Sequence, residues 1–193
     1  RALSETAIDK YVNTIMARFT NYRQYCLLAL DRVTMKMSAE SFKGAFEKII
    51  ASSESADFEL ALDVIINHDT IRPTDDNSRK NYANFLIKNL PTSPNPNRIL
   101  HALRKCVVSY TKLEEMAKGA QQNSSIDDEE LTNTIAYFLD QEDDLLDVSD
   151  MIRRFCEAQI KASTIAKVID KLSNYSKDAM YQQLVYLLYK LHR

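Results

Sequence analysis

With 193 residues, 45% of them hydrophobic and 27% charged, the chain can bury roughly 70% of its unfolded surface without help from disulfides. The balance of 25 Lys and Arg against 27 Asp and Glu, a net charge of −2, argues against a protein whose main work is coating nucleic acid. Only two glycines occur, Gly44 and Gly119, too few for hairpins, bulges or phosphate-cradling loops.

Ser4 opens a first helix of about 30 residues, whose apolar positions Ile8, Tyr11, Val12, Ile15, Phe19 and Tyr22 keep the helical period and run on through Cys26 and Val33. Ser38 or Ser41 caps a second through Phe42, Phe46, Ile49 and Ile50, and Ser55 a third through Ala61, Leu62, Ile65 and Ile66. The stretch 69–77, with Pro73, precedes a fourth helix carrying Tyr82, Phe85 and Leu86. Pro91, Pro94 and Pro96 then form the one proline cluster, a candidate subdomain joint at 91–96 in an otherwise single domain over 1–193.

Asn95 and Pro96 form a helix start, and the fifth helix runs through Ile99, Leu103, Cys106, Tyr110, Leu113 and Ala117 to a stop at Gly119. Ser125 with Asp128 resembles a capping box for a sixth helix through Leu131, Ile135 and Phe138. Leu145 to Ile160 supply a seventh, Ser163 caps an eighth through Val168, Ile169 and Leu172, and Ser176 caps the last. The fold class is therefore all-α, with eight or nine amphipathic helices stacked as helical hairpins in a solenoid-like array or closed into a compact bundle.

From Ser41 the chain reads Ser-Phe-Lys-Gly-Ala-Phe-Glu-Lys-Ile-Ile, and from Tyr82 Tyr-Ala-Asn-Phe-Leu-Ile-Lys-Asn-Leu. This stretch, 38–90, resembles the first hairpins of HEAT-like middle domains of translation-initiation and messenger-RNA scaffold proteins. The long first helix departs from that pattern.

Familiar catalytic motifs are absent, because hydrolase elbows, phosphate loops and dinucleotide fingerprints all need glycines. His68, His101 and His192 do not stand at ligand spacing from one another or from a cysteine, so neither a metal site nor a cofactor is expected. Cys26, Cys106 and Cys156 read as reduced core thiols of a cytoplasmic or nuclear protein. The densest apolar run, Cys26 to Leu30, is far short of the roughly 20 residues that cross a bilayer. The start at Arg1-Ala2 without methionine points to a fragment of a larger protein.

Three surfaces are candidates for binding. Carboxylates crowd positions 127–130, 140, 142–144, 147 and 150, and Asp143, Asp147 and Asp150 share one stripe of the seventh helix. That stripe suits a divalent cation or a basic partner, although helix-start electrostatics and an Asp150–Arg154 pair account for much of the acidity. Arg98, Lys105 and Lys112, with His101 beside them, recur every seven residues on the 97–118 helix, a face that suits RNA phosphates or an acidic partner helix and is also what the solvated side of an amphipathic helix presents. Tyr186 and Tyr189 lie on the far side of the last helix from Leu184, Leu188 and Leu191, and no later helix of this chain follows to cover them. The expected function is a non-catalytic scaffold or adaptor module that binds a protein partner or a second copy, with an RNA-associated module as the alternative. Neither a small-molecule substrate nor a membrane is expected among its partners.

Overall fold

Residues 4–52, 55–67, 76–106, 108–142 and 145–173 are described by a computed structural model of the chain. Among them are ten α-helices and two short 3-10 turns, with no strand. The chain separates into two compact units, residues 1–85 and 86–193.

The first unit holds α1 (Glu5–Ala17), α2 (Arg23–Asp31), α3 (Ala39–Ser52), α4 (Phe58–Asn67) and the start of α5 (Asp76–Asn89), with 3-10 turns at Thr34–Lys36 and Ser55–Asp57. Ser4 caps α1 as its sequence predicts, its Oγ accepting from the Ala7 N–H at 3.3 Å, and Ile8, Val12 and Met16 line the buried face. The long first helix is nevertheless two helices. Residues 18–22 turn the chain, burying Phe19 completely and sending Cys26, Leu27 and Leu30 of α2 into the same core. A straight helix of that length would span about 45 Å, whereas a unit of this size has a radius of gyration of only about 12 Å. Much of its apolar stripe would have stayed in water.

The broken end of α1 is closed by other elements. Lys48 of α3 donates to the Met16 carbonyl at 2.7 Å, and the Cys26 thiol, its pKa pushed up by burial, donates to the Ile15 carbonyl at 3.4 Å. A cation at a helix C-terminus opposes the helix dipole favourably. Ser38 proves to be the cap of α3, accepting from the Ser41 N–H at 3.2 Å while its own hydroxyl donates to Asp9 at 3.0 Å. The core is completed by aromatic contacts of Phe46 with Phe42 and Tyr82, and of Phe58 with Phe85.

The second unit takes the end of α5 together with α6 (Pro96–Leu103), α7 (Tyr110–Gln122), α8 (Asp128–Asp140), α9 (Leu145–Glu157) and α10 (Ala162–Ser173). Helix α8 packs against α6, α7 and α10, and Leu131, Thr132, Thr134, Ile135, Ala136, Phe138 and Leu139 are all buried. Polar Thr132 is accommodated by donating to the Asp128 carbonyl one turn back, at 2.7 Å. The cap of α8 is Asp127, which accepts from the Glu129 N–H, not Ser125. Ser125 instead gives its N–H to Asn123 Oδ1 at 2.9 Å.

The predicted 97–118 helix is also two. Its apolar spacing continues unbroken from Leu103 through Cys106 and Tyr110, yet the sequence Val107-Val108-Ser109 joins two β-branched residues, poor helix formers, to a natural cap. Ser109 has the extended backbone of an N-cap, and Arg104 ends α6 by reaching to α8, where its Nη2 meets Glu130 at 2.5 Å and its Nε meets Thr134 at 3.0 Å. These two breaks turn the eight predicted helices that fall on described residues into ten.

Gly119 is not a stop. It lies inside α7, which continues to Gln122, and an added β-carbon would meet Pro91 Cγ at 3.3 Å. The glycine allows the proline loop to approach the helix, and Asn123 holds that loop there by donating to the Leu90 and Ser93 carbonyls, both at 2.8 Å. The prolines are thus tied down within the second unit. At the α9–α10 corner the left-handed residue is Gln159, φ 59°, not a glycine. Its N–H bonds to the Cys156 carbonyl and that of Ile160 to Phe155, which is the Schellman pattern, with Ile160 and Phe155 both buried.

The two glycines make opposite predictions. Gly44 sits in α3 with nothing near the position of a β-carbon, so Gly44→Ala should raise stability in urea denaturation by about 0.5–1 kcal/mol. Gly119→Leu should lower it by about 1–3 kcal/mol, because Pro91 occupies the space the new side chain needs.

Candidate functional site

Helix α2 is apolar on two sides. Cys26, Leu27 and Leu30 face the core, and at about 100° per residue Tyr25, Leu28 and Arg32 fall on the opposite side. Tyr25 is 76% exposed and Leu28 51%, with Tyr22 (57%) just before the helix and Met35 (78%) in the 3-10 turn beyond it. Single exposed apolar side chains are ordinary on protein surfaces, but several in succession along one helix mark a contact surface.

The N-terminal end of this row opens into a cleft of about 260 Å³ lined by Thr20, Asn21, Tyr22, Arg23, Gln24, Tyr25 and Asp57. Its floor is an ion pair, Arg23 Nε to Asp57 Oδ2 at 2.8 Å, with Asp57 buried. That pair fixes the corner between α2 and the start of α4. Arg18 lies near the start of α2, where its charge acts on the Cys26 thiol, and Arg32 and Lys36 are exposed at the other end. Among the described residues these last two side chains make no ion pair.

The acidic stretch is largely occupied within the protein. Asp127 caps α8. Asp128 accepts from Lys167 Nζ at 2.9 Å and Thr164 Oγ1 at 3.4 Å, and the Lys167 hydrogen bond holds its carboxyl below the ordinary range despite partial burial. Lys171 reaches Asn133 along the same α8–α10 seam. Asp150 pairs with Arg153 and, as the spacing predicts, with Arg154 at 3.0 Å, and these bonds lower its pKa. Asp147 is exposed near the N-terminus of α9. With Glu142 it lies close to the Tyr110 hydroxyl, whose pKa is pushed up by burial first and by these carboxylates second. Asp143, the remaining member of the proposed stripe, lies outside the described residues, as do Tyr186 and Tyr189.

The basic residues do not share one helix. Arg98 and His101 belong to α6, Lys105 to the turn after it and Lys112 to α7, where it pairs with Glu115 at 2.6 Å. Arg98, Lys105 and Lys112 are half-buried. Among the described residues, no group of His, Cys, Asp and Glu side chains gathers as metal ligands would, and no helix is long and apolar enough to cross a membrane. His68 and His192 fall outside those residues.

Tyr25 and Leu28 were not legible as a surface from the helical period, because a single 4–33 helix has one apolar stripe and both lie off it, while Met35 lies beyond its end. The available signal was the run Tyr-Cys-Leu-Leu-Ala-Leu from Tyr25, apolar all round where one buried face needs an apolar residue only every three or four positions. Comparison with protein families, curated proteins and solved structures finds no match to this chain.

The Asp128 contacts predict a pH dependence. A carboxyl with a folded pKa below its unfolded value contributes stability that is present above about pH 4 and is lost as pH falls through the folded value. Asp128→Asn should therefore lower the thermal midpoint at pH 7, with the gap to wild type closing as the pH falls below the ordinary aspartate value and on through the lowered value of the folded state.

Proposed function

We propose that this chain is a non-catalytic helical interaction module, part of a scaffold or adaptor, which docks a protein partner on the outer face of α2. The observation that carries this reading is the pair of exposed side chains Tyr25 and Leu28 on a helix whose other side is already buried, with Tyr22 exposed just before it and Met35 exposed in the turn beyond it. Burial of apolar side chains in a contact contributes about 25 cal/mol per Å² before the costs of association. Tyrosine is well suited to such a surface, since it presents a broad apolar ring and a hydroxyl at low entropic cost.

In this reading α2 forms the binding edge and residues 38–90, with their resemblance to HEAT-like middle domains, supply supporting helices of a scaffold. The RNA alternative relied on a continuous basic helix, and the separation of its residues between α6, a turn and α7 removes that geometry. The reading assigns the chain no cofactor and no small-molecule substrate.

Tyr25→Ser/Leu28→Ser should abolish capture of specific proteins from cell extract while unfolding stability changes by no more than about 0.5 kcal/mol. Undiminished capture by the folded double variant would sink the proposal. A drop in stability of several kcal/mol would place both side chains in the core and sink it equally.

A further inference from the structure

From the chemistry of this face we infer that the partner segment is an acidic amphipathic helix lying along α2, an inference that rests on the docking role just proposed. The first argument is shape. Tyr25 and Leu28 stand three residues apart on α2, the spacing of one of the ridges by which helices interdigitate with other helices, and the exposed Tyr22 directly precedes the helix. A partner helix with apolar residues at i, i+3, i+4 and i+7 presents the matching grooves.

The second argument is charge. Between residues 18 and 36 the exposed cations are Arg18, Arg32 and Lys36, against a single carboxylate, Asp31, which already has an interaction partner of its own. Arg23 is also present, but Asp57 neutralises it. Arg32 stands in line with Tyr25 and Leu28, so a helix following the apolar row must pass it, and Lys36 directly follows Met35. Carboxylates flanking the partner's apolar stripe would pair with these groups and speed association.

The same charges select against the other occupants. Two copies of the face would bring like cations together, which disfavours self-association through it. A nucleic acid would satisfy the cations and stack on the tyrosines, but Leu28 and Met35 offer neither a charge nor an aromatic plane to a base. Their exposure is matched by an apolar protein surface.

The test uses the full chain and two labelled peptides of about 18 residues, or five helical turns. Both carry leucines at i, i+3, i+4 and i+7, one with flanking glutamates and the other with flanking lysines. By fluorescence anisotropy at low salt, the glutamate peptide should bind at least about tenfold more tightly than the lysine peptide, and its affinity should fall as salt is raised. Arg32→Glu/Lys36→Glu should reverse the preference, and Tyr25→Ser/Leu28→Ser should weaken the glutamate peptide by about tenfold or more. Circular dichroism melting curves that match wild type would show that both variants are folded.

Equal binding of the two peptides, or none of the acidic one, overturns the inference. Tighter binding of a single-stranded oligouridine, lost in the same variants, also overturns it in favour of RNA. So does a dimer in sedimentation equilibrium that Leu28→Ser dissociates, which assigns the face to a second copy. If the peptide fails while protein capture still depends on Tyr25 and Leu28, only the partner's chemistry is wrong. If capture is also indifferent to them, the docking reading falls as well.

Discussion

Every α-helix ends with carbonyls that have no partner inside the helix, and proteins commonly satisfy them with a glycine in the left-handed conformation. Neither of this chain's two glycines does that work: Gly44 and Gly119 both lie inside helices. Gln159 takes the left-handed conformation after α9, and several other helix ends are met by side chains from elsewhere in the fold. Lys48 from α3 closes α1, Asn123 after α7 bonds the Leu90 carbonyl following α5, and Gln121 of α7 donates to the Gln159 carbonyl following α9 while accepting from the Lys161 N–H. The boundaries of one helix therefore depend on the placement of another within the same unit. Such mutual dependence favours cooperative folding of each unit, because a helix that undocks also loses the groups that terminate it.

This economy also decides which charges are free for binding. Within the second unit, Asp127 and Asp128 organise the start of α8, Asp150 holds Arg153 and Arg154, and Arg104 ties α6 to α8. A dense charge run in a sequence is then mostly a record of helix starts and seams between helices. Exposed pairs contribute little individually, about 0–1 kcal/mol. Their value here is positional, since Asp128 meets both Thr164 and Lys167 and fixes the register of α10 on α8. The first unit differs: Tyr25 and Leu28 are exposed on α2, and the exposed Arg32 and Lys36 that follow it make no ion pair among the described residues.

The all-α class was legible in the sequence because glycine scarcity, proline placement and three-to-four-residue apolar spacing act locally. Ser4, Asn95 with Pro96, and the Asp150–Arg154 pair were legible for the same reason: each joins residues within about one helical turn of one another. The breaks after α1 and α6 were not, because the apolar period continues through both. At residues 18–22 the deciding quantity is the size of the core that a long helix would have to fit. At 104–109 it is the reach of Arg104 to Glu130 and Thr134, 26 and 30 residues further along the chain. Gly119 has the residue type of a helix stop, but Pro91 packs against it inside α7. The α2 surface follows from the first of these breaks: once the chain turns at Phe19, one side of α2 takes the core contacts and Tyr25 and Leu28 are left outside. Sequence alone determined which segments would be helical and which faces could be buried; only the tertiary structure decided where those helices stop and which of two apolar faces remains in water, because both depend on contacts between residues distant in the chain.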